Sequence, residues 1–117
     1  MTTIKNLSQV RGDSKAYQFQ RFNKNTKKVI TIKPDTLYMT VKKNYDTKDY
    51  LFQKKKEDFV IDDDGTYHFE IQPHETDNLK YGKYVYDIQA TTDGKVTTIL
   101  KGVFEIDKES TWADNED

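Results

Sequence analysis

The side chains in this sequence that could carry chemistry are mainly carboxylates, and two groups of them lie close along the chain. Asp107 and Glu109 are two residues apart, and Glu70 lies two residues from His68. A glycosidase requires two carboxyl groups about 5–9.5 Å apart. Residues two apart on a strand share one face, but neither pair is accompanied by a group that would raise one carboxyl pKa. We therefore interpret both pairs as solvated strand faces.

Two short motifs resemble ligand sites but predict turns instead. Residues 62–64 are three aspartates followed by Gly65, and hard cations prefer clustered oxygens. A calcium loop beginning at Asp62 would need a glutamate at its twelfth position, where Pro73 stands. Residues 11–13 spell the adhesion tripeptide Arg-Gly-Asp, yet glycine and aspartate before a strand are ordinary turn residues. We interpret both motifs as tight turns.

The residue types present exclude several other kinds of site. The chain has no cysteine, which excludes disulfides, thiolate zinc sites and cysteine nucleophiles. The two histidines are too few for a histidine-rich metal site. The serines belong to no nucleophile-elbow motif, and the five glycines form no phosphate-binding loop. We predict a protein without enzymatic activity, metal or cofactor.

Charge is unevenly distributed along the 117 residues, which suffice for one domain. Residues 1–43 contain ten basic and two acidic residues, whereas residues 57–79 contain eight acids and no lysine or arginine. The basic segment could attract a polyanion, or strands of opposite charge could face one another. We favour the internal pairing, because no aromatic residues interleave a basic stretch as in nucleic-acid-binding proteins. The sequence also shows no secretory signal and no membrane-spanning stretch, so we expect synthesis in a cytoplasm, no nucleic-acid partner and no membrane insertion.

The elements that must position these side chains are strands, because apolar residues recur with a period of two. No segment of similar length has a convincing helical period. The sequence Asp93–Gly94 predicts a hairpin between two long strands, and Gly102 predicts a β-bulge in the second of them. The alternating apolar positions are Tyr17 and Phe19; Leu37, Met39 and Val41; Tyr67, Phe69 and Ile71; and Tyr84, Tyr86, Ile88 and Ala90.

One segment predicts the topology more closely. Leu79, Gly82 and Tyr84 match the tyrosine corner of Greek-key sandwiches, in which a tyrosine hydroxyl bonds back to the preceding crossover. Simple core packing by Tyr84 is the alternative. The crossover, residues 74–81, should contain a short helical turn. We predict an all-β, immunoglobulin-like Greek-key sandwich of about seven strands over residues 1–110, followed by an acidic tail, residues 111–117.

The candidate binding residues are aromatic residues that we expect to be exposed. Tyr45 and Tyr50 flank a polar loop, and tyrosine offers a large contact area at low entropic cost. Tyr50 and Phe52 could instead line the inner face of a strand, which we consider the better interpretation. Trp112 either anchors the acidic tail to a neighbouring subunit or covers the end of the domain.

The second half of the sequence resembles a known family. Residues 79–88 follow the pattern Leu-x-x-Gly-x-Tyr-x-Tyr-Asp-Ile, and residues 97–106 follow Thr-x-Ile-x-x-Gly-x-Phe-x-Ile, with Thr111 closing the match. These motifs, with Gly12–Asp13 near the start, resemble the small immunoglobulin-like structural or accessory proteins of tailed bacteriophages and prophages. The N-terminal domains of upper baseplate proteins are of similar type. The resemblance covers about residues 11–111 and is weak between residues 44 and 64.

The resemblance implies a structural or accessory component of the virion, in the tail, baseplate or capsid. Its expected partners are other phage structural proteins or a second copy of the chain, which edge strands and loop tyrosines would contact. Two alternatives remain open. One is a module that binds carbohydrate or the host surface through aromatics near Tyr45 and Tyr50. The other is a small phage inhibitor of one host protein.

Overall fold

The chain folds almost entirely into β-strands, as the period of two predicts. A computed structural model describes residues 3–23 and 25–108. These residues contain two short helical turns, Lys56–Asp58 and Pro73–Thr76. Neither is long enough or apolar enough to cross a membrane. The described residues contain nine strands rather than about seven, because the short strands at the sheet edges carry too few residues to show alternation. The strands are β1 Thr3–Ile4, β2 Leu7–Val10, β3 Lys15–Gln20, β4 Thr36–Lys42, β5 Phe52–Lys55, β6 Phe59–Ile61, β7 Thr66–Ile71, β8 Gly82–Thr92 and β9 Lys95–Asp107.

Two sheets enclose one apolar core. The larger sheet has the order β9–β8–β4–β5, and both β1 and β2 pair in parallel with the outer edge of β9. The smaller sheet is antiparallel and has the order β3–β7–β6. The inward residues of β4, β7 and β8 come from the predicted alternating positions, with Leu37, Met39 and Val41 fully buried on β4. The other core residues lie outside those positions and are Phe52, Phe59, Ile99, Leu100, Phe104 and Ile106. The alternation therefore predicted part of the core.

The hairpin between β8 and β9 forms at the predicted place. Thr92 pairs with Lys95, so that Asp93 and Gly94 are the two residues of the turn. Both have positive φ, 51° and 79° respectively. Such a turn matches the right-handed twist of the flanking strands, and glycine adopts it without steric cost.

The predicted bulge lies elsewhere on β9. The register shifts between Ile88 and Gln89, whose partners are Leu100 and Thr98, so Ile99 is the extra residue. Ile99 and Leu100 are consecutive and both buried, which is how the inward face changes along the strand. Gly102 pairs with Tyr86 in regular register, so its assignment to a bulge is wrong.

Gly102 has a different role, which is to allow close approach of the N-terminal segment. A Cβ atom at this position would overlap the backbone carbonyl oxygen of Lys5 and lie 2.9 Å from the Asn6 Oδ1 atom. Asn6 Oδ1 accepts the N–H of Val103 at 3.0 Å, and Lys5 donates its N–H to the Lys101 carbonyl at 2.9 Å. Only glycine leaves room for this contact.

The aspartate run forms a tight turn, as predicted. Gly65 has a φ of +90° and donates its N–H to the Asp62 carbonyl at 3.0 Å. Asp64 accepts the N–H of Thr66 at 3.0 Å, and this hydrogen bond holds the pKa of Asp64 below its ordinary value. Among the residues that the structure describes, no cluster of three or more histidine or carboxylate side chains could hold a metal ion.

The expected internal pairing of opposite charges is limited to one exposed contact. Within residues 3–23 and 25–108, two lysines pair with carboxylates and one histidine contacts a carboxylate. Of these, only Lys33 and Asp63, at 3.6 Å, join the basic and acidic segments, and both side chains are largely exposed. Exposed pairs contribute little to stability, so internal pairing does not explain the charge asymmetry.

Candidate binding site

The two predicted loop tyrosines lie in the connection between β4 and β5 but are placed differently. Tyr45 is 53% exposed, and its hydroxyl donates to the Gly102 carbonyl at 3.3 Å, so its ring is tied to the larger sheet. Tyr50 is 54% exposed and does not line the inner face, contrary to the preferred interpretation, whereas Phe52 is buried in the core. Trp112 lies outside the described residues.

Beside Tyr45, the outer face of the larger sheet carries a partly buried carboxylate. Burial raises the pKa of Asp87, although Lys42 and Lys101 act in the opposite direction. The pKa of Tyr45 is also raised, first by burial and then by the nearby charge of Asp87. The charged groups that act on the carboxylate are the cations of Lys42 and Lys101.

The crossover between β7 and β8 has the geometry of a tyrosine corner. It contains one helical turn, α1 Pro73–Thr76, which overlaps the start of the region predicted for it, residues 74–81. The Tyr84 hydroxyl donates to the Lys80 carbonyl at 2.7 Å. Leu79 packs against the core, and Gly82, at φ +139°, begins β8. These contacts fix the crossover against the sheet.

The Arg-Gly-Asp tripeptide is held against this same crossover. Arg11 donates to the Tyr81 hydroxyl at 2.8 Å, and its guanidinium carbon lies 4.2 Å from the centre of the Tyr81 ring. Gly12 donates its N–H to the buried Thr76 hydroxyl at 2.9 Å. The arginine is therefore engaged within the fold, which supports the interpretation of this motif as a turn.

A buried ion pair, which the sequence analysis missed, also ties the crossover to the larger sheet. Lys54 Nζ lies 2.5 Å from Glu75 Oε1, and the two side chains are only 8% and 11% exposed. Glu75 also accepts the backbone N–H of Gln72 at 2.8 Å, which caps α1. The only signal in the sequence was that Lys54 occupies the same strand face as Phe52.

A cleft lies at the opposite end of the sandwich, where the sheets separate. It has a volume of about 800 Å³ and opens between β3 on one side and β1 and β9 on the other. Its apolar wall includes Phe19, Phe22, Ile30 and Leu100, and Phe22 is 58% exposed. Lys5 and Arg21 supply positive charge, and no aspartate or glutamate lines it among the described residues.

A smaller depression of about 400 Å³ lies on the outer face of the smaller sheet. Its lining includes Val60, Asp58 and Glu70, together with His68. His68 Nε2 lies 2.7 Å from Asp62 Oδ2, so the histidine is paired with the adjacent turn. The Glu70 carboxylate accepts a hydrogen bond from the Gln72 amide at 2.5 Å. These polar groups are already partnered on a solvated face.

The cleft follows the least protected strand edge of the described residues. β3 pairs only with β7 and has no charged side chain after Lys15. The other edge strands are shorter, and β5 carries two lysines in its four residues. Lysines and short lengths are the usual protection of strand edges. Lys15 Nζ donates to the Ser8 carbonyl at 2.7 Å and the Tyr17 hydroxyl donates to Gln9 Oε1 at 2.9 Å, so β2 covers the first half of this edge.

The cleft can therefore bind an apolar group that carries negative charge, next to an edge that can accept another strand. No sequence pattern marks Arg21 or Phe22 as site residues, because both lie in a segment without alternation. No protein-family model matches the chain, and no curated protein sequence is significantly similar to it.

Proposed function

We propose that this protein is a non-enzymatic, immunoglobulin-like module that assembles with other proteins in the particle of a tailed phage or prophage. The observation that carries the proposal is the open edge of β3 beside the cleft, which offers backbone groups and apolar side chains together. Extended segments of partner proteins bind sheet edges by this combination.

The order of the strands supports an immunoglobulin-like topology. In the variable-type arrangement, strands B, E and D form one sheet, and C′ joins G, F and C in the other. Taking β3 as strand B gives the order β3–β7–β6 for the first sheet and β9–β8–β4–β5 for the second. The hydrogen bond from Tyr84 then lies near the start of strand F, where tyrosine corners occur.

The phage assignment rests on the sequence resemblance of residues 11–111 to the phage proteins. Mass spectrometry of purified particles from an infected or induced host tests it. A stoichiometric amount of the protein in the particles would support the assembly role. Its absence from particles, combined with tight binding to one host protein, would instead favour the inhibitor alternative and contradict the proposal.

A second candidate function is glycan binding by the loop between β4 and β5. Tyr45 and Tyr50 are each more than half exposed there, and aromatic rings are suitable contact surfaces. A glycan array on the purified protein, with Tyr50→Ala as the site variant and Tyr38→Ala as the control, tests this function. Saturable binding that Tyr50→Ala removes and Tyr38→Ala preserves would support it, and failure to bind any glycan would exclude it.

A further inference from the structure

We infer that the cleft between β3 and β9 binds the acidic tail of a second copy of this chain, with Trp112 as its apolar anchor. The inference rests on the proposed assembly function and names a partner for it. Three observations carry it: the apolar wall of the cleft, its charge, and the distance between the cleft and the end of β9.

The cleft has an apolar wall that the described structure covers only in part. Phe22 is 58% exposed, and its neighbours on the wall are Phe19, Ile30 and Leu100. An aromatic side chain buries a large area on such a wall. Trp112 is the only tryptophan of the chain, and it is the largest apolar side chain that residues 109–117 can offer.

The charges of the cleft and the tail are complementary. Lys5 and Arg21 line the cleft without an acidic neighbour on its walls. Residues 109–117 contain four acidic residues and no basic residue. Complementary charge of this kind favours encounter and fixes orientation. It also accounts for part of the charge asymmetry, which the contacts within the fold leave unexplained.

The distance favours a second copy over the chain's own tail. Leu100 is the cleft residue of β9 nearest to Asp107 and lies seven residues before it, which corresponds to roughly 23 Å along a strand. Trp112 follows Asp107 by five residues, which span at most about 18 Å when fully extended. Trp112 could therefore bring its ring near Leu100 of its own chain only if the tail reversed direction at Asp107 and were fully extended.

Trp112 fluorescence tests the inference directly, because no other tryptophan contributes. We expect the emission maximum of the full chain to move to shorter wavelength as concentration increases. Sedimentation equilibrium should show the mass rising over the same range. A synthetic peptide of residues 108–117 should compete and return the protein to its monomeric mass. A monomeric mass throughout, or an emission maximum that does not depend on concentration, would overturn the inference.

Two variants of the cleft and one matched control locate the site. Arg21→Glu should weaken self-association by about tenfold or more by repelling the acidic tail. Phe22→Ser should weaken it similarly by removing the apolar contact. Val60→Ser is the control, because Val60 is 63% exposed on the outer face of the smaller sheet, away from this cleft. Association that survives both cleft variants, or that Val60→Ser abolishes equally, would contradict the assignment.

Circular dichroism confirms that each variant is folded before its association is compared. Failure of this inference would be distinct from failure of the proposed function. A strictly monomeric protein found at stoichiometric level in particles would contradict tail exchange and retain the assembly role. A self-associating protein that is absent from particles would retain tail exchange and contradict the assembly role.

Discussion

The two ends of the sandwich use their polar groups in contrasting ways. At the crossover end, Lys54 pairs with Glu75, Tyr84 bonds to the Lys80 carbonyl, and Arg11 bonds to Tyr81. At the cleft end, Arg21 and Lys5 line an open cavity beside exposed Phe22. At the crossover end these polar side chains bond to other groups of the fold, whereas at the cleft end they line an open cavity. This contrast separates residues that stabilise the fold from residues available for a partner.

The largest expected effect comes from breaking the buried ion pair at the crossover end. Lys54→Met leaves the Glu75 carboxylate buried without its cation, which should cost about 3–5 kcal/mol in the free energy of unfolding. Urea denaturation measures it. The double variant Lys54→Met with Glu75→Gln is the matched control and should recover much of the loss. If Lys54→Met were as stable as the wild type, the ion pair would not stabilise the crossover end.

The next largest loss of stability is expected at Gly102 in β9, the strand that runs between the two ends. Gly102→Ala places a Cβ atom against the Lys5 carbonyl, so β1 must shift, at a cost of about 1–3 kcal/mol. Thermal denaturation measures the loss. The control is Val103→Ala, which shortens an adjacent side chain without adding an atom near Lys5. If Gly102→Ala were as stable as the wild type, the close approach would be unimportant.

Removing the Tyr84 hydroxyl should have a smaller effect at the crossover end. Tyr84→Phe loses one hydrogen bond to the Lys80 carbonyl while its ring remains packed, so we expect a cost of about 1 kcal/mol. Tyr50→Phe is the control, because Tyr50 is exposed and should show no change. An unchanged melting temperature for Tyr84→Phe would favour simple core packing over a tyrosine corner.

Asp87, on the outer face of the larger sheet, should give a pH-dependent effect of known sign. Burial raises its pKa in the folded state, so the ionised carboxylate destabilises the fold at neutral pH. Asp87→Asn should therefore be more stable than the wild type at pH 7. This gain should shrink as the pH falls through the folded-state pKa and vanish below the ordinary aspartate pKa. A gain that grows on acidification would contradict the assigned cause.

The smallest effect is expected at the cleft end. Phe22→Ser removes an exposed ring, so the free energy of unfolding of the monomer should change by no more than about 0.5 kcal/mol. Urea denaturation below the concentration at which the protein associates measures it, with Phe69→Ser as the destabilising reference. A large loss for Phe22→Ser would mean that the cleft wall belongs to the core, and the contrast between the ends would fail.

The sequence predicted the parts of the fold that depend on local periodicity and turn chemistry. Alternation identified the inward residues of β4, β7 and β8, and Asp93–Gly94 identified the hairpin between β8 and β9. The position of the bulge could not be predicted in this way. Glycine is required at residue 102 by the distant Lys5 carbonyl, and no local pattern reports such a contact.

The candidate site was harder to predict for the same reason. The cleft is formed by β1, β3 and β9, which lie far apart in sequence, and its key residues have ordinary surface types. The Lys54–Glu75 pair likewise joins residues 21 positions apart. Tyr45 was predicted as an exposed loop residue, and this is correct. Tyr50 was assigned to the inner face of a strand, but it is exposed.

The parallel pairing of β1 and β2 with β9 has a consequence for how the chain acquires its structure. Residues 3–10 find their partners only at residues 100–107, so during synthesis they must wait until nearly the whole described chain has left the ribosome. The β8–β9 hairpin closes over a short loop and can form early. The pairing of β1 and β2 with β9 joins distant segments and therefore slows completion of the fold. Until this pairing forms, the edge of β9 is an unpaired surface that a chaperone could recognise.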